Sequence, residues 1–70
     1  MTVPEQVGAN IRRRRLALGI SQMELGNRSD MPLEQVSRIE RGRKDVQLST
    51  VVRLAHGLNC APSALFAGVR

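Results

Sequence analysis

Seventy residues are expected to form one small domain with a modest core, and the single cysteine, Cys60, excludes an internal disulfide and a thiolate zinc site. Eleven Lys and Arg face six Asp and Glu, a formal charge of +5, and ten of the eleven are Arg. No apolar run approaches the roughly 20 residues of a membrane span and no signal-peptide pattern opens the chain, so a cytoplasmic protein of bacterial, phage or plasmid origin is expected. The basic residues bunch at 12–15 and 38–44, which points to a polyanionic partner rather than to general solubility. Arginine favours bidentate contacts with phosphate or guanine. The lone aromatic, Phe66, argues against a single-stranded nucleic acid, whose bases need stacking platforms.

Met1 to Val3 are expected to fray. Pro4 and Glu5 open a first helix over roughly 4–18, and Gly19 closes it. Val7, Ile11 and Leu18 share one face. Of the four consecutive arginines, Arg13 points away from that face, whereas Arg14 and Arg15 flank it and need an anion. Glu40, beside Val36 on the buried side of a later helix, is the available one. Geometry alone does not choose between Arg14 and Arg15.

A second helix is expected over roughly 21–28, with Ser21 as N-cap, Glu24 completing a capping box and Leu25 turned inward. Gly26-Asn27-Arg28-Ser29-Asp30 then dissolves the pattern into turn chemistry. Pro32 suits the first turn of a third helix over roughly 32–41, with Gly42 as its stop. Val36 and Ile39 mark its buried side, and Glu34, Ser37, Arg38 and Arg41 occupy the opposite one. A helix too short to stand alone, polar on its outer side, has the form of one that enters a DNA groove.

Arg43-Lys44-Asp45 is a polar loop. A fourth helix over roughly 48–58 places Leu48, Val51, Leu54, Ala55 and Leu58 at core spacing, leaving His56 on the surface. Cys60 reads as a small buried hydrophobe. Pro62 opens a short fifth helix over roughly 62–67 containing Ala64, Leu65 and Phe66.

Leu18-Gly19-Ile20-Ser21-Gln22, Glu24-Leu25 and Val36-Ser37-Arg38-Ile39-Glu40-Arg41-Gly42 together resemble the helix-turn-helix of the Cro/cI-like, or XRE, family. The likeness continues through Leu48, Val51, Leu54-Ala55 and Leu58 to Leu65. Gly26 replaces the family's usual Ala, and Ser29-Asp30 replace an apolar residue followed by Gly. Asp tolerates a left-handed turn, so the turn is expected to survive, whereas Gly26 is the weaker point because glycine disfavours a helix.

The resemblance implies an all-α, five-helix repressor-like fold whose third helix enters the major groove of a near-palindromic operator. It selects Arg15 as the partner of Glu40. It assigns phosphate contacts to Gln22 with Ser21, to Arg41, Arg43 and Lys44 beyond the third helix, and to Arg12 and Arg15 from the first. Gln35 is expected to touch a phosphate or pack. Base contacts fall to Leu33, Glu34, Ser37 and Arg38: arginine fits guanine O6 and N7, glutamate accepts from cytosine N4, and leucine packs on a thymine methyl. Glu34 has an equally good role as an i,i+4 partner that orients Arg38.

A homodimer is expected, with Phe66 and Val69 at the contact and Leu65 sealing the core. The sequence contains no nucleophile–base pair, glycine-rich phosphate loop or metal-ligand cluster, so neither an enzyme nor a cofactor is expected. The leading function is a sequence-specific double-stranded DNA-binding transcriptional regulator. A toxin–antitoxin antitoxin and a restriction–modification controller are the alternatives; no membrane role is expected, and the sequence does not identify any further protein partner.

Overall fold

The structure, a computed structural model, describes residues 1–70 as four α-helices and one 3₁₀ helix, with no strand. The first helix, α1 (Val3–Leu18), starts one residue before the expected boundary because Thr2 caps it. Thr2 Oγ1 accepts from the Glu5 N–H at 3.2 Å and the Thr2 N–H donates to Glu5 Oε1 at 2.8 Å, a complete capping box where fraying was expected. The Thr2 backbone bond, then its hydroxyl, hold the Glu5 carboxyl below its ordinary pKa. Val7, Gly8, Asn10, Ile11 and Arg15 are buried along this helix. Leu18 has the right angular position for the core yet is 45% exposed. Periodicity sets the face of a helix but not how far its partners extend, and Arg15 is the last buried residue of α1.

The second helix, α2 (Gln22–Ser29), is capped by Ser21, whose hydroxyl accepts from the Glu24 N–H at 3.0 Å. The Glu24 carboxylate does not return the bond. It accepts from Arg28 Nε at 3.1 Å, so the expected capping box is half made. Asp30 ends α2 in the left-handed region, at φ 56° and ψ 52°, and the Met31 N–H donates to the Gly26 carbonyl at 2.9 Å. This return path explains Gly26: a Cβ there would sit 2.6 Å from the Met31 carbonyl oxygen. Its missing side chain makes room for the turn.

The third helix, α3 (Leu33–Glu40), follows Pro32, which is the N-cap rather than a residue of the first turn. Gly42, two residues past its end at φ 71°, turns the chain away, with Gly42 N–H donating to Ile39 O at 3.0 Å and Arg43 N–H to Arg38 O at 3.1 Å. Gly8 of α1 lies against this end, where a Cβ would fall 2.3 Å from the Ile39 carbonyl oxygen. The fourth helix, α4 (Leu48–Gly57), buries Thr50, Val51, Leu54, Ala55 and Gly57. Leu48, expected in the core, is 75% exposed. The buried stripe turns toward Thr50 and Gly57, and Gly57 packs beside Leu25 and Ser29 of α2.

The fifth segment, Pro62–Phe66, is a 3₁₀ helix rather than an α-helix over 62–67. Asn10 Nδ2 donates to the Leu65 carbonyl at 3.0 Å and to the Ala67 carbonyl at 2.7 Å, while Ala67 is extended. Those bonds hold the chain across α1 in place of another helical turn. Ile11, Leu25, Val36, Ile39, Leu54 and Leu65 form the fully buried apolar centre, drawn from all five elements. Cys60 is half-buried against it. No helix is long and apolar enough to cross a membrane.

Candidate nucleic-acid interface

Val36, Ile39 and Glu40 anchor α3 inward, leaving Leu33, Glu34 and Arg38 exposed and Ser37 half-buried. Glu34 Oε1 and Arg38 Nη2 lie 4.0 Å apart across one turn, with side chains 80% and 58% exposed. Such an open pair orients its members without holding them tightly. Arg41 Nε donates to the Ser37 carbonyl at 3.3 Å. Pro32, Glu34, Gln35, Arg38 and Lys44 line one shallow groove, so the loop lysine returns alongside α3. Arg43 is exposed just beyond the helix.

Glu40 joins three helices beneath this surface. Its carboxylate accepts from Arg15 Nε at 2.6 Å and Nη2 at 3.1 Å, and from Gln22 Nε2 at 3.0 Å. Arg15 Nη1 donates to the Ile20 carbonyl at 3.0 Å. The two prongs of the ion pair satisfy charges that burial would otherwise leave stranded. Arg14, the other arginine considered for this partnership, is exposed. Arg15 itself is 8% exposed, with three of its guanidinium N–H groups engaged by Glu40 and the Ile20 carbonyl. Gln22 is half-buried and braced by Glu40 at the start of α2, next to exposed Ser21. Arg12 is exposed and shares an open cleft with Arg13, Arg41 and Glu5, at the junction of α1 with the end of α3.

The HTH_3 helix-turn-helix family model matches residues 11–65, a span that includes α2, the turn and α3. The chain belongs to the HTH_3 helix-turn-helix family. Solved structures of similar proteins agree over nearly its whole length. The restriction-modification controller protein C.AhdI from Aeromonas hydrophila is 33% identical, with a TM-score of 0.87 over 90% of this chain and 91% of that one. The clp gene regulator ClgR from C. glutamicum is 28% identical, with a TM-score of 0.89 over 93% of this chain and 84% of that one. The hypothetical transcription factor NHTF from Neisseria is 29% identical, with a TM-score of 0.88 over 93% and 75% of the two chains. A comparison with curated proteins found no match.

Within this helix-turn-helix chain, sequence reasoning missed several residues that shape the motif. Arg53 of α4 and Arg28 of α2 donate to backbone carbonyls across the α2–α4 packing. Nothing in a sequence marks a backbone carbonyl as a partner. Asn10 was detectable, since a polar residue between Val7 and Ile11 falls on the buried face. Its Oδ1 accepts from Gln6 Nε2 at 3.2 Å and Arg13 Nη1 at 3.1 Å, so its buried amide is satisfied on both sides. Phe66 and Val69, expected at a dimer contact, are half-buried and pack partly against the core.

Proposed function

We propose that this helix-turn-helix protein is a cytoplasmic, sequence-specific double-stranded DNA-binding transcriptional regulator whose α3 lies in the major groove. The observation carrying this reading is that α3, buried through Val36, Ile39 and Glu40, presents Leu33, Glu34, Ser37 and Arg38 outward within a cationic rim. Arg38 reads guanine, Glu34 accepts from cytosine or orients Arg38, and Leu33 packs on a thymine methyl. Ser21, Gln22, Gln35, Arg12, Arg41, Arg43 and Lys44 engage phosphates and fix the register. Arg15 and Glu40 act from below as the structural ion pair.

One recognition helix covers too few base pairs to single out a site in a genome, so a two-fold dimer on half-sites roughly 34 Å apart is part of the proposal. Phe66 and Val69 contribute its contact. Leu48 and Val52, 75% and 39% exposed on one side of α4, offer further apolar surface. Selection of bound duplexes from a random pool tests this reading. A near-palindromic motif with guanine at one fixed position in each half-site is expected; recovery of unenriched sequence refutes it.

The 33% identity to C.AhdI over 91% of that chain favours, among regulators, a restriction–modification controller. A restriction endonuclease gene beside this one supports that narrower role, and a toxin gene there supports the antitoxin alternative.

A further inference from the structure

Two arginines cross between α2 and α4 in opposite directions. Arg53, on α4, donates through Nε to the Ser29 carbonyl at 3.0 Å and through Nη2 to the Asp30 carbonyl. Arg28, on α2, donates through Nη1 to the Gly57 carbonyl at 3.4 Å. Each guanidinium sits at the carbonyl end of the other helix, where unpaired acceptors and the helix dipole favour a cation. The helices meet closely here: a Cβ on Gly57 would lie 2.4 Å from Ser29 Oγ.

The two oxygens held by Arg53 belong to the peptide groups on either side of the Asp30 Cα. Fixing both peptide planes fixes φ and ψ of Asp30, the residue whose left-handed conformation turns the chain from α2 toward α3. Aspartate accepts that conformation less readily than glycine. An external grip on both flanking peptides offsets this preference. Lysine carries the same charge but lacks the planar fork that can reach two oxygens at once.

We infer that Arg53 is a positioning residue for the recognition helix, clamping the Ser29–Asp30 turn so that α3 is held in its reading orientation. This rests on the proposed role of α3 in the DNA groove. A chain whose turn is correct only part of the time binds its operator with an affinity reduced by that fraction, whereas loosely docked, non-specific binding depends less on the orientation of α3.

Arg53→Lys and Arg53→Gln test the clamp, with amide hydrogen exchange and DNA binding measured on each folded variant. Exchange of the Met31 N–H, bonded to Gly26 across the turn, is expected to accelerate about tenfold in both variants, while core amides of α4 such as Leu54 keep their rates. Affinity for the selected duplex is expected to fall about tenfold and that for a random duplex less than about twofold, with an unchanged salt slope. Unchanged Met31 exchange overturns the clamp, as does wild-type behaviour in Arg53→Lys. A salt slope reduced by about one makes Arg53 a phosphate contact instead. If the wild-type chain selects no duplex, the DNA reading fails, and Met31 exchange still decides whether the clamp exists.

Discussion

Arg15 and Glu40, on α1 and α3, meet in a two-pronged ion pair whose shorter arm is 2.6 Å and whose side chains are 10% and 2% exposed. The same carboxylate holds Gln22. Glu40→Gln retains the shape of the side chain but strips Arg15 of its counter-charge. A loss of about 3–5 kcal/mol in folding stability is expected, since a buried arginine is left unpaired. Chemical denaturation checks it; a midpoint equal to wild type contradicts the bracing role.

Affinity for duplex DNA is expected to fall steeply with salt, by roughly 0.9 log units per log unit of salt for each phosphate neutralised. The exposed cations Arg12, Arg41, Arg43 and Lys44, proposed to contact phosphates, contribute to this slope. Titrations at several salt concentrations measure it. Flat affinity removes the phosphate assignments.

Arg38→Ala is expected to cost about 1–3 kcal/mol on the selected site and to relax preference at one base position. Arg43→Ala instead weakens all sequences alike. Repeating duplex selection with both variants separates them, and an unaltered motif from Arg38→Ala displaces that residue from the groove.

Ser29→Ala is expected to stabilise the fold by about 1 kcal/mol. Ser29 Oγ is the buried side-chain polar atom without a hydrogen-bond partner. Alanine removes that cost, favours the helix and leaves intact the backbone carbonyl that Arg53 grips. A lowered thermal midpoint would show that the hydroxyl has a partner after all.

Phe66→Ala is expected to weaken self-association while retaining helical content, because Phe66 packs only partly against the core. Sedimentation with and without the selected duplex measures this, and a folded variant that associates as tightly as wild type removes Phe66 from the contact.

The helical character of the chain and its helix-turn-helix were legible because punctuation and periodicity agree there: Ser21 caps, Gly42 terminates, and Val36 and Ile39 point inward. Leu18 was misplaced because an apolar stripe reports an angle around a helix axis and not where neighbouring helices stop, and Leu48 because the buried face of α4 turns toward Thr50 and Gly57. The fifth segment looked α-helical because Pro62 marks a start, while the carbonyls that end it are taken by Asn10 from far away in the chain. At the site, Glu34 and Arg38 follow from the wheel. Burial of Arg15 rather than Arg14 came only through family likeness. Arg53 left no trace, since its partners are main-chain oxygens.

Asn10 also ties the first helix to the far end of the chain. Its amide holds the Leu65 carbonyl, 55 residues away, and the Ala67 carbonyl, 57 residues away. Until that distant segment arrives, a polar side chain destined for burial beside Val7 and Ile11 lacks those two bonds, and exclusion of water around it is unfavourable. Closing so long a loop has an entropic cost that local helix formation does not recover. The C-terminal segment is therefore part of what allows α1 to bury its polar Asn10, and a chain without that segment leaves the Asn10 amide without these two acceptors.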